Sequence, residues 1–328
     1  MIGRRRFLAA GFGAACASPL LPALARSTGV LTATDVHVDG YPTVEAVKWI
    51  GESLERETGG RLRIRLYHSG QLGRESEAID MARFGAIDIT RVYSGALNNA
   101  FPLTQALCLP YVFESVAHQR RALDGDVGAA VLRGFKARDL VGLAIYDSGA
   151  RCFYNTRRPL HTPADLRGLK FRVPPSDIFI RLLRLLGANP TPLAYGEVFS
   201  ALETRLIDGA ENNMRSFHSS RHFEAAGYWS QSGHSYAPDV LLISRRTLEA
   251  MAPADRALVL DTARASVEVM RRLWDASESA ARAAVARQGV AFNDVDVGAF
   301  RAAAAPLLNE YLRRPEIAPL YRRIRAFA

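Results

Sequence analysis

The sequence is short of the groups from which most catalytic and metal sites are built. Its 328 residues include three cysteines, with no Cys-x-x-Cys pair among them, so neither a disulfide framework nor a thiolate metal site is laid out. There is no G-x-S-x-G elbow and no H-E-x-x-H helix, which removes the usual serine-hydrolase and zinc-protease readings. No internal apolar run reaches the ~18 residues of a membrane span. A block of lysines and arginines is also missing, as are a basic stripe interleaved with aromatics and a zinc-knuckle spacing, so nucleic acid is not an expected partner.

What is present describes a soluble globular chain. Nearly half of it, 48%, is hydrophobic, and the length allows two domains of ordinary size. The first residues, "MIGRRRFLAAGFGAACASPLLPALARS", combine three arginines, an apolar stretch and the small-x-small site Ala23-Leu24-Ala25. This is the grammar of an export leader, cut before Arg26. Arg4-Arg5 followed by Arg6, Phe7 and Leu8 fits the twin-arginine pattern that directs proteins to the periplasm. The only dinucleotide-like glycine run, "GFGAAC", lies inside that leader with no strand before it, so no cofactor is expected. Losing the leader takes the formal charge from +9 to +6, a mild bias compatible with steering small anions. Cys108 and Cys152 remain, each in an apolar strand-like context where a buried free thiol is expected rather than a bridge.

The mature chain alternates strands and helices. "VLTATDVH", "RLRIRLYHSG", "IDITRVYS" and "VGLAIYDSG" read as strands. "TVEAVKWIGESLERETGG", "ESEAIDMARFGAID" and most of 116–140 read as helices between them. The rhythm restarts with "ADLRGLKFRVP", "SDIFIRLLRLLGAN", "PTPLAY", "GEVFSALETRL" and "IDGAENN". Such alternation predicts an α/β fold with two mostly parallel sheets, hence two lobes with a cleft between them. One helical pattern then runs from Pro253 to Arg287, with Val259, Ala263, Val267, Met270 and Trp274 on a stripe and Gly289 as its stop. At ~50 Å it is long enough to brace both lobes.

Charged groups at strand ends mark the cleft. In "LKFRVP", Arg172 is the last polar residue before Pro174, which cannot extend a ladder. Ligands of open α/β sheets bind beyond the carboxyl ends of strands, so an arginine there is placed to meet an anion. Arg151 follows the strand "VGLAIYDSG" at the join between the two units, and the pair is predicted to clamp one carboxylate. Asn212 and Asn213 of "GAENN" offer amides to hydroxyls, and Tyr195 offers a ring face. The one metal candidate is "HSSRHFE", where His218 and His222 stand four apart on a helical pattern near Glu224 and His234; two histidines do not complete a site, and no metal is expected.

"SGQLGRESEAIDMARFGAID", "LPYVFES", "DLRGLKFRVPPSD", "LGANPTPLAYGEVFSALETRLIDGAENN" and the long late helix, spread over about residues 30 to 290, together resemble the extracytoplasmic solute-binding subunits of tripartite ATP-independent periplasmic (TRAP) transporters. The resemblance implies two α/β lobes joined by hinge strands and a long helix, closing on an organic acid that is then handed to an integral-membrane permease. It implies neither a cofactor nor a reaction. Arg172 stands where the family pairs the substrate carboxylate, Arg151 where a second arginine assists, and Asn212 and Tyr195 where the site is lined. "DVHVDGYPTVEAVKW", "YDSGARCFYN", "GAENN" and "HSYAPDVLLIS" are most similar to the branch associated with sugar acids such as glucuronate and galacturonate. On that reading His37, Glu75, Arg91 and Asn213 meet ligand hydroxyls. Pro175 and the His37-Val38 step depart from the pattern of relatives, which leaves one polar contact open.

The expected organisation is a leader over 1–25, lobe I from 26–148 with 238–277, and lobe II from 149–237 with 278–328, acting as a periplasmic monomer. Three alternatives stay open: a binder of C4-dicarboxylates or 2-oxo acids using the same arginines, a metal-dependent periplasmic enzyme acting on hydroxy acids, and a ligand-sensing partner of a membrane receptor.

Overall fold

The computed structural model describes residues 29–328; the leader and its cleavage site lie outside them. Among the described residues, eleven strands form two sheets. The first takes β1 (Gly29–Thr34), β2 (Leu62–Tyr67), β3 (Ile89–Tyr93), β4 (Leu140–Tyr146) and β10 (Asp239–Ser244) in the order β2-β1-β3-β10-β4. The second takes β5 (Arg151–Asn155), β6 (Lys170–Val173), β7 (Asn189–Pro192), β8 (Gly209–Asn212), β9 (Tyr228–Ser235) and β11 (Ala291–Asp294) in the order β11-β9-β5-β8-β6-β7. The first sheet is the frame of lobe I and the second of lobe II.

The sheets expected to be mostly parallel are mixed, with two of four strand pairings parallel in the first and three of five in the second. β10 is antiparallel to both β3 and β4, and β5 is antiparallel to both β8 and β9. The cause is topological. Each reversed strand has just crossed from the other lobe, β5 through residues 147–150 and β10 through 236–238, so it enters its sheet from the cleft side. These crossings are the hinge.

The helix Pro253–Arg287 is the third connection and matches the predicted span. Proline at its start presets the backbone dihedral without removing a needed donor. Val259, Ala263, Met270 and Trp274 pack with β1, β10 and the helix Pro42–Glu57 in lobe I. Further along, Ala281 and Val285 pack with Phe217 and Trp229 in lobe II. The hinge is fastened to this brace at Gly149, whose φ of +63° leaves little room for a side chain, since a Cβ there would lie 3.0 Å from the Trp274 ring. Asp147, two residues earlier, is held by Arg120 and Arg271.

Two further departures are local. Residues 116–140 form helices Val116–Leu123 and Asp126–Gly134 with a 3-10 turn rather than one run. The last helix, Ala318–Arg325, reaches back to lobe I: Ile324 is buried, and its carbonyl sits 2.9 Å from His118 Nε2 on the 116–123 helix. Cys108 and Cys152 are buried free thiols, and burial pushes them up to about 11 and about 12.

Candidate functional site

Side chains of both lobes line one cavity, among them His37, Glu75, Arg91, Arg151, Arg172, Tyr195, Asn212, Asn213 and Asp239. All eight residues singled out in the sequence meet here. The lobes are closed on one another. Tyr41 Oη lies 2.9 Å from Ser216 Oγ, Asn98 Nδ2 donates to Ser176 Oγ at 2.8 Å, and Arg215 donates to the Gly40 carbonyl at 3.2 Å.

Arg172 is the feature that distinguishes the site. β6 runs between the edge strand β7 and β8, with Arg172 opposite Thr191 and Ala210, so the chain carries it to the end of an interior strand of the second sheet just before Pro174 ends the run. It is 4% exposed. Its Nε donates to the Leu193 carbonyl at 3.0 Å, and no carboxylate lies within ion-pair distance. The other buried arginines among the described residues differ: Arg91, Arg151 and Arg271 each have at least one acidic partner. Burial lowers the Arg172 pKa, only partly opposed by Glu211. A desolvated cation without a partner costs several kcal/mol at the ~2–5 level typical of buried charges, and a bound carboxylate offsets that cost.

Arg151 is placed differently from its predicted role. Its Nε and Nη2 grip Glu211 at 2.5 and 2.8 Å, Nη2 also reaches the Glu211 carbonyl, and Nη1 donates to Asn212 Oδ1 at 3.0 Å. It is not a free half of a clamp. Burial works against its charge, but Glu211 outweighs this and holds the guanidinium above its ordinary pKa. Glu211 likewise, despite burial, is brought down to about 2 by Arg151 and His234. The reason is register: β8 pairs directly with β5, which brings the two side chains together across 60 residues of sequence. Only one Nη1 proton is left to turn toward the cavity.

Asn212 accepts from Arg151 and from the Asn213 amide through Oδ1, leaving its Nδ2 to the cavity. Asn213, expected to meet a hydroxyl, instead caps the helix Met214–Ser219, accepting from Ser216 N at 2.7 Å, and donates to Ser148 Oγ at 3.3 Å. Tyr195 bonds Ser220 and sets its ring edge-on to His37, 4.9 Å between centroids. His37 stacks on Tyr41 at 3.7 Å. Burial, with Arg91 nearby, holds the His37 imidazole well below its ordinary pKa and therefore neutral.

Arg91 and Glu75 line the cavity but are largely spent on each other. Arg91 is shared by three carboxylates, Asp35, Glu75 and Asp239, and Glu75 Oε1 also accepts the Tyr93 amide at 2.9 Å. Asp35, Tyr93, Glu211 and Asp239 escaped the sequence reading. Asp35 and Asp239 carried a usable signal, a lone acid at the end of one apolar strand and at the start of another.

The histidine pair does not form one face. Arg221 adopts φ +58° and separates helix Met214–Ser219 from His222–Ala225. His222 is buried 2.8 Å from Tyr154 Oη and pushed down to about 3 by burial and Arg172, whereas His218 stacks on Phe223. Among the described residues no cluster of three or more His, Cys, Asp or Glu is arranged to hold a metal.

Two hinged α/β lobes closed over a buried, unpartnered cation define a ligand-capturing binding protein. Residues 34–314 match the model of bacterial extracellular solute-binding protein family 7, and the chain belongs to that family, the solute-binding proteins of TRAP transporters. Its fold superimposes with a TM-score of 0.88 on a TRAP periplasmic solute-binding protein of Bradyrhizobium sp. BTAi1 in complex with α/β-D-galacturonate, at 44% identity, covering 90% of this chain and 99% of that one. A Roseobacter denitrificans homologue with bound β-D-glucuronate gives 0.88 at 38% identity and the same coverage. The 2,3-diketo-L-gulonate-binding periplasmic protein of Escherichia coli is 31% identical over 75% of this chain and 77% of its own length. TRAP solute-binding proteins are periplasmic, and no helix among the described residues is long and apolar enough to cross a membrane.

Proposed function

We propose that this protein captures a hexuronate of the D-galacturonate or D-glucuronate type and presents it, enclosed, to a TRAP membrane permease. The observation that carries the reading is Arg172, a buried guanidinium that lines the cavity without an acidic partner. A carboxylate there completes a bidentate pair. The galacturonate and glucuronate complexes of relatives with the same fold support the class of acid.

Roles divide accordingly. Arg172 holds the carboxylate, Asn212 Nδ2 and the remaining Arg151 proton assist, and His37 and Tyr195 form the wall around the sugar ring. Arg91, Glu75 and Asn213 keep that wall in place. Closure turns on 147–150 and 236–238, dividing the chain into lobe I (26–148 with 238–277) and lobe II (149–237 with 278–328), the final helix strapping lobe II to lobe I. Export follows the twin-arginine route through Arg4-Arg5, and the mature protein works as a monomer that carries its ligand unchanged.

A thermal-shift panel of the mature protein against hexuronates, aldonates, C4-dicarboxylates and 2-oxo acids tests this. A ligand at a hundred times its Kd adds ~2.7 kcal/mol. Stabilisation by hexuronates is the expected result; stabilisation by dicarboxylates or oxo acids alone keeps the Arg172 role and overturns the substrate.

A further inference from the structure

Around the cavity, four buried polar atoms have no hydrogen-bond partner in the protein: His37 Nδ1, Arg91 Nε, Tyr93 Oη and Asp239 Oδ2. Buried polar groups are nearly always paired, so a cluster of orphans on one wall marks where a ligand bonds. All four belong to lobe I, opposite the Arg172 side. Their chemistry is mixed: a carboxylate only accepts, the guanidinium Nε only donates, and the phenol does either. That set complements hydroxyl groups, which themselves donate and accept.

Asp239 stands apart within it. The neighbouring carboxylates are already satisfied: Asp35 accepts from the His37 amide, Thr43 Oγ1 and Arg91, and Glu75 from Arg91 and the Tyr93 amide. Asp239 receives only a long 3.4 Å bond from Arg91 on Oδ1. It is paired across the sheet with Tyr93, so the two side chains emerge side by side on the same face.

We propose that Asp239, with Tyr93 beside it, determines specificity by accepting a hydrogen bond from a ligand hydroxyl, so that the site takes polyhydroxy acids and turns away oxo acids and dicarboxylates. The inference rests on the hexuronate reading above and adds the residue that enforces it. A keto oxygen or a second carboxylate has no proton to give the ionised Asp239, and a second carboxylate also meets three acids balanced by a single arginine. Discrimination by a hydroxyl partner is steep because its loss leaves a buried acceptor unpaired. Burial, reinforced by Glu75 and Asp35, raises the Asp239 pKa to about 7 against the pull of Arg91, and a donated hydroxyl proton favours the ionised form.

The test is calorimetric titration of wild type and Asp239→Asn with D-galacturonate, D-glucuronate and the monodeoxy analogues of whichever binds. Asparagine keeps the shape and replaces one acceptor oxygen with a donor. The expected result is a tenfold or greater loss for the parent hexuronate, shrinking to within threefold for the analogue lacking the hydroxyl that Asp239 reads. Tyr93→Phe, which keeps the ring under Arg151, is expected to lose threefold or more on the parent acid and supplies the same comparison if the asparagine variant does not fold. An equal loss across parent and every analogue, or no loss, overturns the proposal. Wild-type protein that binds neither uronate overturns the substrate assignment itself, and this inference with it.

Discussion

Arg74 and Glu197 join the two lobes across the mouth of the cleft, the guanidinium of the first donating to the carboxylate of the second at 2.5 Å. Glu197 is also fixed to its own turn by accepting the Ala194 amide at 2.8 Å. The pair lies at the outer edge of a second, larger opening that shares Glu75, Arg172 and Tyr195 with the inner cavity. Because its two members sit on opposite lobes, parting the lobes is expected to break it.

That geometry makes the pair a latch on release. Both side chains are well exposed, so the expected contribution is small, ~0.2–1 kcal/mol, and screened by salt. Glu197→Gln should raise the ligand dissociation rate up to about fivefold while leaving the association rate nearly unchanged. Stopped-flow measurements at low and high salt check this, and a rate unaffected at low salt places the pair outside the closing step.

Removing Arg172 is expected to have opposite effects on binding and on stability. Arg172→Met keeps much of the side chain's volume and deletes a buried charge that nothing in the empty protein neutralises. Uronate affinity should fall by ~2–5 kcal/mol, as for loss of one partner of a desolvated pair. The ligand-free protein should melt at the same or a higher temperature, since an apolar substitute replaces an uncompensated ion. Arg172→Lys should also bind poorly, because an ammonium does not reproduce the planar fork. A destabilised ligand-free Met variant points to a structural cation instead.

Glu211 offers the contrasting case. Arg151 and Glu211 form a fully buried pair with His234 3.3 Å behind. Glu211→Gln strands the Arg151 charge in the same surroundings and should cost ~3–5 kcal/mol, read as a lower denaturant midpoint with an unchanged slope. An effect below ~1 kcal/mol means that another group neutralises Arg151.

The contrast between these two arginines also shows what the sequence did and did not disclose. Proline after an alternating strand located Arg172 at a strand end, and the 253–287 stripe fixed the brace. The alternation says which way a side chain points, but not which strand will lie beside it. Glu211 sits one residue before the predicted Asn212, yet its partner depended on β8 pairing with β5, a reversed strand arriving from the other lobe. Asp239 was visible as a lone acid at a strand start, but its neighbours were not: it opens β10, whose place between β3 and β4 is set by the second crossing. The helix break at Arg221 was also silent, because a positive φ at arginine carries no compositional mark.

Asp239 leads to a prediction in pH. Facing it are Arg91 and Tyr93 on β3, Glu75 on the 75–84 helix, Asp35 after β1, Tyr41, and Arg151 on β5. Burial raises its pKa from 3.8 to about 7, so between those values the folded protein holds a proton that the unfolded chain has released. Stability linked to this group therefore falls as pH rises from about 4 to about 7, by at most ~1.4 kcal/mol per pH unit. Glu211, lowered to about 2, contributes stability that is intact above 4.5 and is lost only as pH drops toward 2. The buried histidines 37, 222 and 234 are depressed, so their contribution is intact above 6.5 and is lost below it, opposing Asp239 over part of the range. Comparing wild type with Asp239→Asn cancels those shared terms. The difference in unfolding free energy should grow in favour of the variant from pH 4 to 7 and then level off, in ligand-free protein followed by urea unfolding. A variant that is more stable at pH 8 yet binds uronate less well separates a carboxylate kept for its ligand from one kept for the fold; a flat difference across this range means that Asp239 is already ionised at pH 4.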